Sequence, residues 1–148
     1  GKLVSSSRVR SSLAGGDIGD VYGCLGRPFS IKGTVIKGDQ RGRTIGFPTA
    51  NLAVWEELLL PADGVYATYV WLGEERFAAA ANVGVRPTVN GRQRLVEAHL
   101  LDFDGDLYGQ TIRLEFMNYI RSEQKFSGLP ALKAQIKADV LEIERQLK

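Results

Sequence analysis

Apolar and polar positions along this chain alternate weakly in its middle and recur at three- and four-residue steps in its tail. Phe29 to Ile36 alternates weakly and predicts a half-buried strand. Val65 to Leu72 is dense in β-branched and aromatic residues and predicts a second. Gly73-Glu74-Glu75 turns the chain, and Arg76 to Val83 reads as the hairpin partner. The alanines there would suit a helix, but the segment is short and follows a turn. Arg94 to Leu101 and Ile112 to Met117 are predicted as two more strands, with turns marked by Asp104-Gly105 and Gly109 between them. Short strands with regular turn signals predict a closed antiparallel barrel. Further on, Leu129, Leu132, Ile136, Val140, Ile143 and Leu147 form one apolar stripe of a helix that docks on the barrel, with Ser127 as its N-cap.

The first residues read differently. Ser6 or Ser7 caps a short helix running towards Leu13, which Gly15-Gly16 ends. Asp17 caps a second, Ile18 to Leu25, before Gly26-Arg27-Pro28 breaks the chain. Residues 1–26 are too few to fold alone and are expected to be a linker or the remnant of a preceding domain. Residues 27–148 form the main domain.

Composition changes the picture little. The chain has 148 residues, 44% hydrophobic and 24% charged, as a soluble single domain does. The net charge of +2 implies no strong attraction to nucleic acid or membrane. The charge is uneven: residues 1–51 hold eight Lys/Arg against three Asp/Glu, and residues 52–148 hold eleven against fourteen. Cys24 is the only cysteine, which excludes an intramolecular disulfide and suits a reducing cytoplasm. No apolar run is long enough to span a bilayer, and no segment reads as a signal peptide.

The basic half contains the most informative segment, Gly38-Asp-Gln-Arg-Gly-Arg-Thr-Ile-Gly-Phe-Pro-Thr-Ala-Asn51. Glycines let a backbone approach a ligand closely, and its N–H groups then cradle an anion. Arg41 and Arg43 add charge suited to phosphate. Pro48 holds the following residues extended, so Thr49 and Asn51 point the same way and offer two hard oxygens to one cation, as Mg²⁺ requires. Turn geometry alone is the competing reading. A Walker loop is disfavoured, because only three residues separate Gly38 from Gly42 and Arg43-Thr44 follows.

Glu97 is the leading ionisable candidate. On its strand Val96, Ala98 and Leu100 face the interior, while Glu97 and His99 share the other face. A carboxylate there can take the proton of an attacking hydroxyl, or it can be a solvated strand residue; His99 supports or orients it. Asn82 to Thr88 reads as a second Gly/Pro-punctuated loop, a ligand support or a wide turn. Arg121 to Phe126 joins the last strand to the final helix. A guanidinium beside an aromatic suits a flat ring, and suits a surface salt bridge equally.

In order along residues 27–148, the glycine segment with its Pro-Thr-Ala-Asn ending, Asn82 to Thr88, Val96-Glu97-Ala98-His99, Leu107-Tyr108-Gly109 and Arg121 to Phe126 resemble the riboflavin kinase family. The resemblance implies a mainly β fold, a six-stranded antiparallel Greek-key β-barrel with a C-terminal α-helix, here preceded by the short N-terminal helices. It implies transfer of the ATP γ-phosphoryl group to the 5′-hydroxyl of riboflavin, giving FMN and ADP. By motif, Thr49 and Asn51 would bind Mg²⁺ with the nucleotide phosphates, and Gly38, Gly42, Arg43 and Gly46 would lie along those phosphates. Glu97 would be the general base. Leu100, Asp102 and Tyr108 would line the adenosine side, and Arg121, Glu123 and Phe126 would lie by the flavin. Lys37 stands where the family often carries His. Ser5-Ser6-Ser7-Arg8-Val9-Arg10 resembles the end of the adenylyltransferase module that precedes the kinase in bacterial bifunctional FAD synthetases, which implies that module as an upstream partner. Two other classes stay open on the residues alone: a basic barrel binding single-stranded nucleic acid, and a flavin-binding module without turnover.

Overall fold

The alternating middle of the chain folds as β1 (Phe29–Ile36), β2 (Thr49–Leu52), β3 (Gly64–Leu72), β4 (Glu75–Thr88), β5 (Gly91–Leu100) and β6 (Thr111–Arg121). The structure is a computed structural model and describes residues 6–36, 49–53, 60–88, 91–103, 105–124 and 126–147. The strands pair antiparallel into a closed barrel in the order β1-β2-β5-β4-β3-β6. β3, β4 and β5 follow one another as neighbours, and β2 lies beside β5, which is the Greek-key arrangement.

The interior is filled by alternate residues of every strand. Tyr66, Phe116 and Leu114 supply bulk, and Ala50, Ala79, Ala81 and Ala98 make room for them. Tyr66 packs edge-on against Phe116 and Tyr119, and its hydroxyl donates to the Ala62 carbonyl at 2.6 Å. The alanine run is strand because both faces are covered: Ala78 and Ala80 pack outward with Ile143 of the final helix, α3 (Leu129–Leu147). Small side chains let that helix lie close to the sheet. Its far end is tied down by the Tyr69 hydroxyl on the Leu147 carbonyl and by Asn118 on Gln146, each at 2.9 Å. The helix starts at Leu129, and the Gly128 carbonyl accepts from Leu132 N–H, so Gly128 rather than Ser127 holds the cap position.

The helices α1 (Ser6–Ala14) and α2 (Ile18–Leu25) both form, but α1 already includes Ser6 and Ser7, so neither is the residue that caps it from outside. Asp17 accepts from Asp20 N–H, and left-handed Gly26 closes α2. Asp20 binds Arg8 and Ser12, joining the two helices. Both pack on the barrel, burying Leu13, Ile18 and Val21 in its core.

Three strands run further than their alternation predicts. β4 continues through 82–88, the segment expected as a loop. Beyond Val83 it is paired with β5 alone, so Pro87 sits where its missing N–H breaks no pairing with β3. β5 begins at Gly91 as the other arm of that ribbon. β6 reaches Arg121 because register shifts opposite Val65–Tyr66 and Ala67–Thr68 displace the alternation after Phe116.

Candidate active site

The strand register assembles the site. Asn51 lies opposite Glu97, Glu97 opposite Asn82, Asn82 opposite Val65, and Val65 opposite Arg121. These residues form one row across β2, β5, β4, β3 and β6, on the barrel's outer face. Neighbouring strands lie about 4.8 Å apart, so Asn51 and Glu97 are one step from each other and Arg121 is about 19 Å along the sheet from Asn51. A second row on the same face sets Thr49 opposite His99 and His99 opposite Ala80. Glu97 and His99 thus share the face opposite the core residues Val96, Ala98 and Leu100, as the alternation required.

The row is roofed by the segment after β6 and by α3. Glu97, Asn82, Gly84, Glu123, Phe126 and Leu132 line a cleft of about 300 Å³. Beside it a narrower cavity reaches His99, Arg121 and Asp139. The Arg121 guanidinium makes a two-pronged contact with Asp139 of α3, with Nε at 3.0 Å and Nη2 at 2.9 Å, and stacks over Phe126 at 5.9 Å. Both partners are largely buried, so Arg121 is the strut that holds α3 and the aromatic over the cleft.

Glu123 reaches back across the cleft. Its carboxylate lies so close to Gly84 that a Cβ there would overlap it. It accepts a hydrogen bond from the Asn82 side chain. Burial, foremost, and nearby Asp63 push the Glu123 carboxyl up from its ordinary value, while Arg121 and Asn82 hold it down.

Asn51 is 4% exposed, and its Oδ1 has no hydrogen-bond partner; Asn82 Oδ1 is equally buried and unpartnered. A buried unsatisfied amide oxygen costs about 1–3 kcal/mol, and here two of them flank one carboxylate. The Asn51 oxygen fits a hard cation. Among the described residues no three His, Cys, Asp or Glu side chains gather as a metal cluster.

The remaining expected residues fall at two places. Gly38, Gly42, Arg43 and Gly46, with Lys37, lie outside the described residues, as does the Thr49 side chain. Leu100 turns its side chain into the core, so any ligand contact it makes comes from its backbone. Asp102, in a left-handed conformation, and exposed Tyr108 lie in the β5–β6 connection. Gly109 N–H donates to the Val35 carbonyl at 2.9 Å, which fixes this connection at the barrel end where β1 finishes and β2 begins. Two residues escaped the sequence reading. Asn82 reads both as the end of the strand Arg76 to Val83 and as the start of an expected loop, and was given no role of its own, although its spacing from Ala80 and Gly84 puts all three on one strand face. Asp139 is a charge on the apolar stripe of α3, between Ile136 and Ile143, and such a residue is buried only with a partner.

The family model for riboflavin kinase (Flavokinase) matches residues 25–147. The bifunctional riboflavin kinase/FMN adenylyltransferase of Escherichia coli K12 is 46% identical over 142 residues, 95% of this chain and 45% of that protein. That of Bacillus subtilis is 42% identical over 147 residues, 97% of this chain and 46% of that protein. The chain spans about half the length of the curated relatives it matches. Among solved structures, one described as a macrolide-efflux protein from Streptococcus pneumoniae superposes with a TM-score of 0.90 at 36% identity, covering 98% of this chain and 47% of the other. The riboflavin kinase of Trypanosoma brucei superposes with a TM-score of 0.58 at 27% identity, covering 82% and 80%.

Proposed function

We propose, since the chain belongs to the riboflavin kinase family, that its barrel transfers the γ-phosphoryl group of ATP to the 5′-hydroxyl of riboflavin, giving FMN and ADP. The row from Asn51 through Glu97 to Arg121 carries this reading, because it orders the parts a two-substrate transfer needs along one sheet face. At the β2 end stands the buried, unpartnered amide oxygen of Asn51, a hard donor. At the β6 end stand a guanidinium and an aromatic beside a cleft of mixed polar and apolar lining, where Phe126 and Leu132 can meet a flat ring. Glu97 stands between them.

In this reading Asn51 Oδ1 and Thr49 hold Mg²⁺, which would neutralise charge on the triphosphate. The backbone of Gly38, Gly42 and Gly46, with Arg43, lies along the phosphates, and Leu100, Asp102 and Tyr108 border the adenosine. Arg121, Glu123 and Phe126 flank the flavin. Glu97 accepts the 5′-hydroxyl proton as that oxygen bonds to the γ-phosphorus and the bond to the ADP oxygen breaks. Because phosphoryl transfer depends on positioning more than on covalent help, a carboxylate one strand step from the cation ligand suffices. Phosphorylation alone is assigned to these residues; an adenylyltransferase module is a partner by analogy with the bifunctional relatives. Cys24, buried and reduced, fits a cytoplasmic setting. Incubation with riboflavin and Mg-ATP, followed by chromatographic separation, should give FMN and ADP in equal amounts. Absence of FMN overturns the assignment.

A further inference from the structure

The reaction uses Glu97 and the cation ligands beside it, but the other neighbour of Glu97 is also an amide with a buried oxygen. Asn82 faces Glu97 from β4, on the side of the cleft away from Asn51. Its amide is already half committed. The nitrogen donates to the Glu123 carboxylate, and that carboxylate is seated against the bare Cα of Gly84, two residues further along the same strand face. With the nitrogen turned to Glu123, Oδ1 remains an acceptor with no hydrogen-bond partner. An acceptor in that state, lining a cleft, wants an O–H or N–H from a ligand.

This oxygen is assigned to a hydroxyl rather than to the cation, because the cation ligands of the reading above lie on the opposite flank of Glu97 and the β4 flank opens onto the cleft bordered by Phe126. Resting on the riboflavin reading, we infer that Asn82 is a specificity-determining residue: its Oδ1 accepts a hydrogen bond from a secondary hydroxyl of the ribityl arm while Glu97 engages the terminal one. Glu123 and Gly84 act as positioning residues that fix which way the amide faces. Nothing in this role requires Asn82 to take part in proton transfer.

A cross of protein variant with substrate variant tests it. Wild-type chain, Asn82→Ala and Gly84→Ala are assayed with riboflavin and with the three analogues that each lack one secondary ribityl hydroxyl. Wild type should lose roughly 10–100-fold in kcat/KM on one analogue, the effect of leaving one buried acceptor unpaired. Asn82→Ala should lose a similar factor on riboflavin yet turn over that same analogue as wild type does. Gly84→Ala displaces only the flexible end of Glu123, so it should fold and show a weaker form of the same pattern. If Asn82→Ala slows riboflavin and all three analogues by one common factor, its role is structural and the inference fails. It fails without any variant if wild type treats all three analogues like riboflavin. A wild-type chain that phosphorylates neither riboflavin nor any analogue overturns the kinase reading itself, a result distinct from either of these.

Discussion

At the scale of single residues, the proposal places the greatest demand on Glu97. Glu97→Gln keeps shape and hydrogen bonding but removes the base, and kcat should fall about 10²–10⁴-fold with the KM for riboflavin little changed. Steady-state kinetics with Mg-ATP in excess measures this, and near-normal turnover would remove Glu97 from the role. Tyr66 makes a demand of another kind. Burial, chiefly, with Tyr119 adding and Arg94 opposing, pushes its phenol up to about 12 from 10.0. The folded chain therefore resists ionisation that the unfolded chain permits. The stability contributed by this difference, on the order of 3 kcal/mol, is complete below pH 10 and is lost as pH rises towards 12. Tyr66→Phe should cost about 1 kcal/mol at pH 7, through the hydroxyl bond to Ala62, and should flatten the fall in urea midpoint between pH 9 and 12. Parallel curves for the two proteins would contradict it. Residue by residue, the alternation of Val96 to Leu100 was enough to put Glu97 and His99 on one face. That Asn51 and Asn82 flank Glu97 was not legible, because register between strands depends on barrel closure and not on any local pattern.

At the scale of elements, helices and strand cores were legible, and strand ends were not. Asp17 and Gly26 announce α2 through capping chemistry that acts locally. The end of β6 was missed because a bulge shifts its faces, and the far half of β4 because its Gly and Pro read as turn residues when only the free edge made them tolerable. The link between β6 and α3 was also invisible, since Arg121 and Asp139 come from different elements. Their buried pair supplies an element-scale prediction. Asp139→Ala strands a largely buried guanidinium and should destabilise the chain by about 3–5 kcal/mol. Pairing Arg121→Met with Asp139→Leu should recover most of that loss, because an apolar pair of similar volume removes the desolvation cost. Chemical denaturation of the two variants decides it. If the double variant is stable and still binds riboflavin as wild type does, Arg121 serves the fold alone and not the flavin.

At the scale of the whole molecule, the strand ladders of the barrel differ in length. Among the described residues β3–β4 and β4–β5 are joined over nine and ten residue pairs, whereas β2 meets β5 over the four from Thr49 to Leu52. This β2–β5 seam carries Asn51, one step from Glu97, at the barrel end where the β5–β6 connection carrying Asp102 and Tyr108 is tied to β1. Elements with few joining bonds open at low free energy, and those that bind ligands are drawn from this group. A nucleotide and a cation gripping β2 would bind the closed barrel and not the opened one, adding about 2.7 kcal/mol at a hundredfold excess over Kd. Amide hydrogen exchange should therefore be faster at Ala50 to Leu52 than at Ala78 to Ala81, and Mg-ADP should slow it selectively at the seam. Asn51→Ala should abolish that selective protection while leaving the β3–β4 amides unchanged, since it deletes the ligand on β2 and touches neither of those strands' pairings. Protection spread evenly over the barrel would mean that the nucleotide does not close this seam, and that the oxygens of β2 are not where the cation sits.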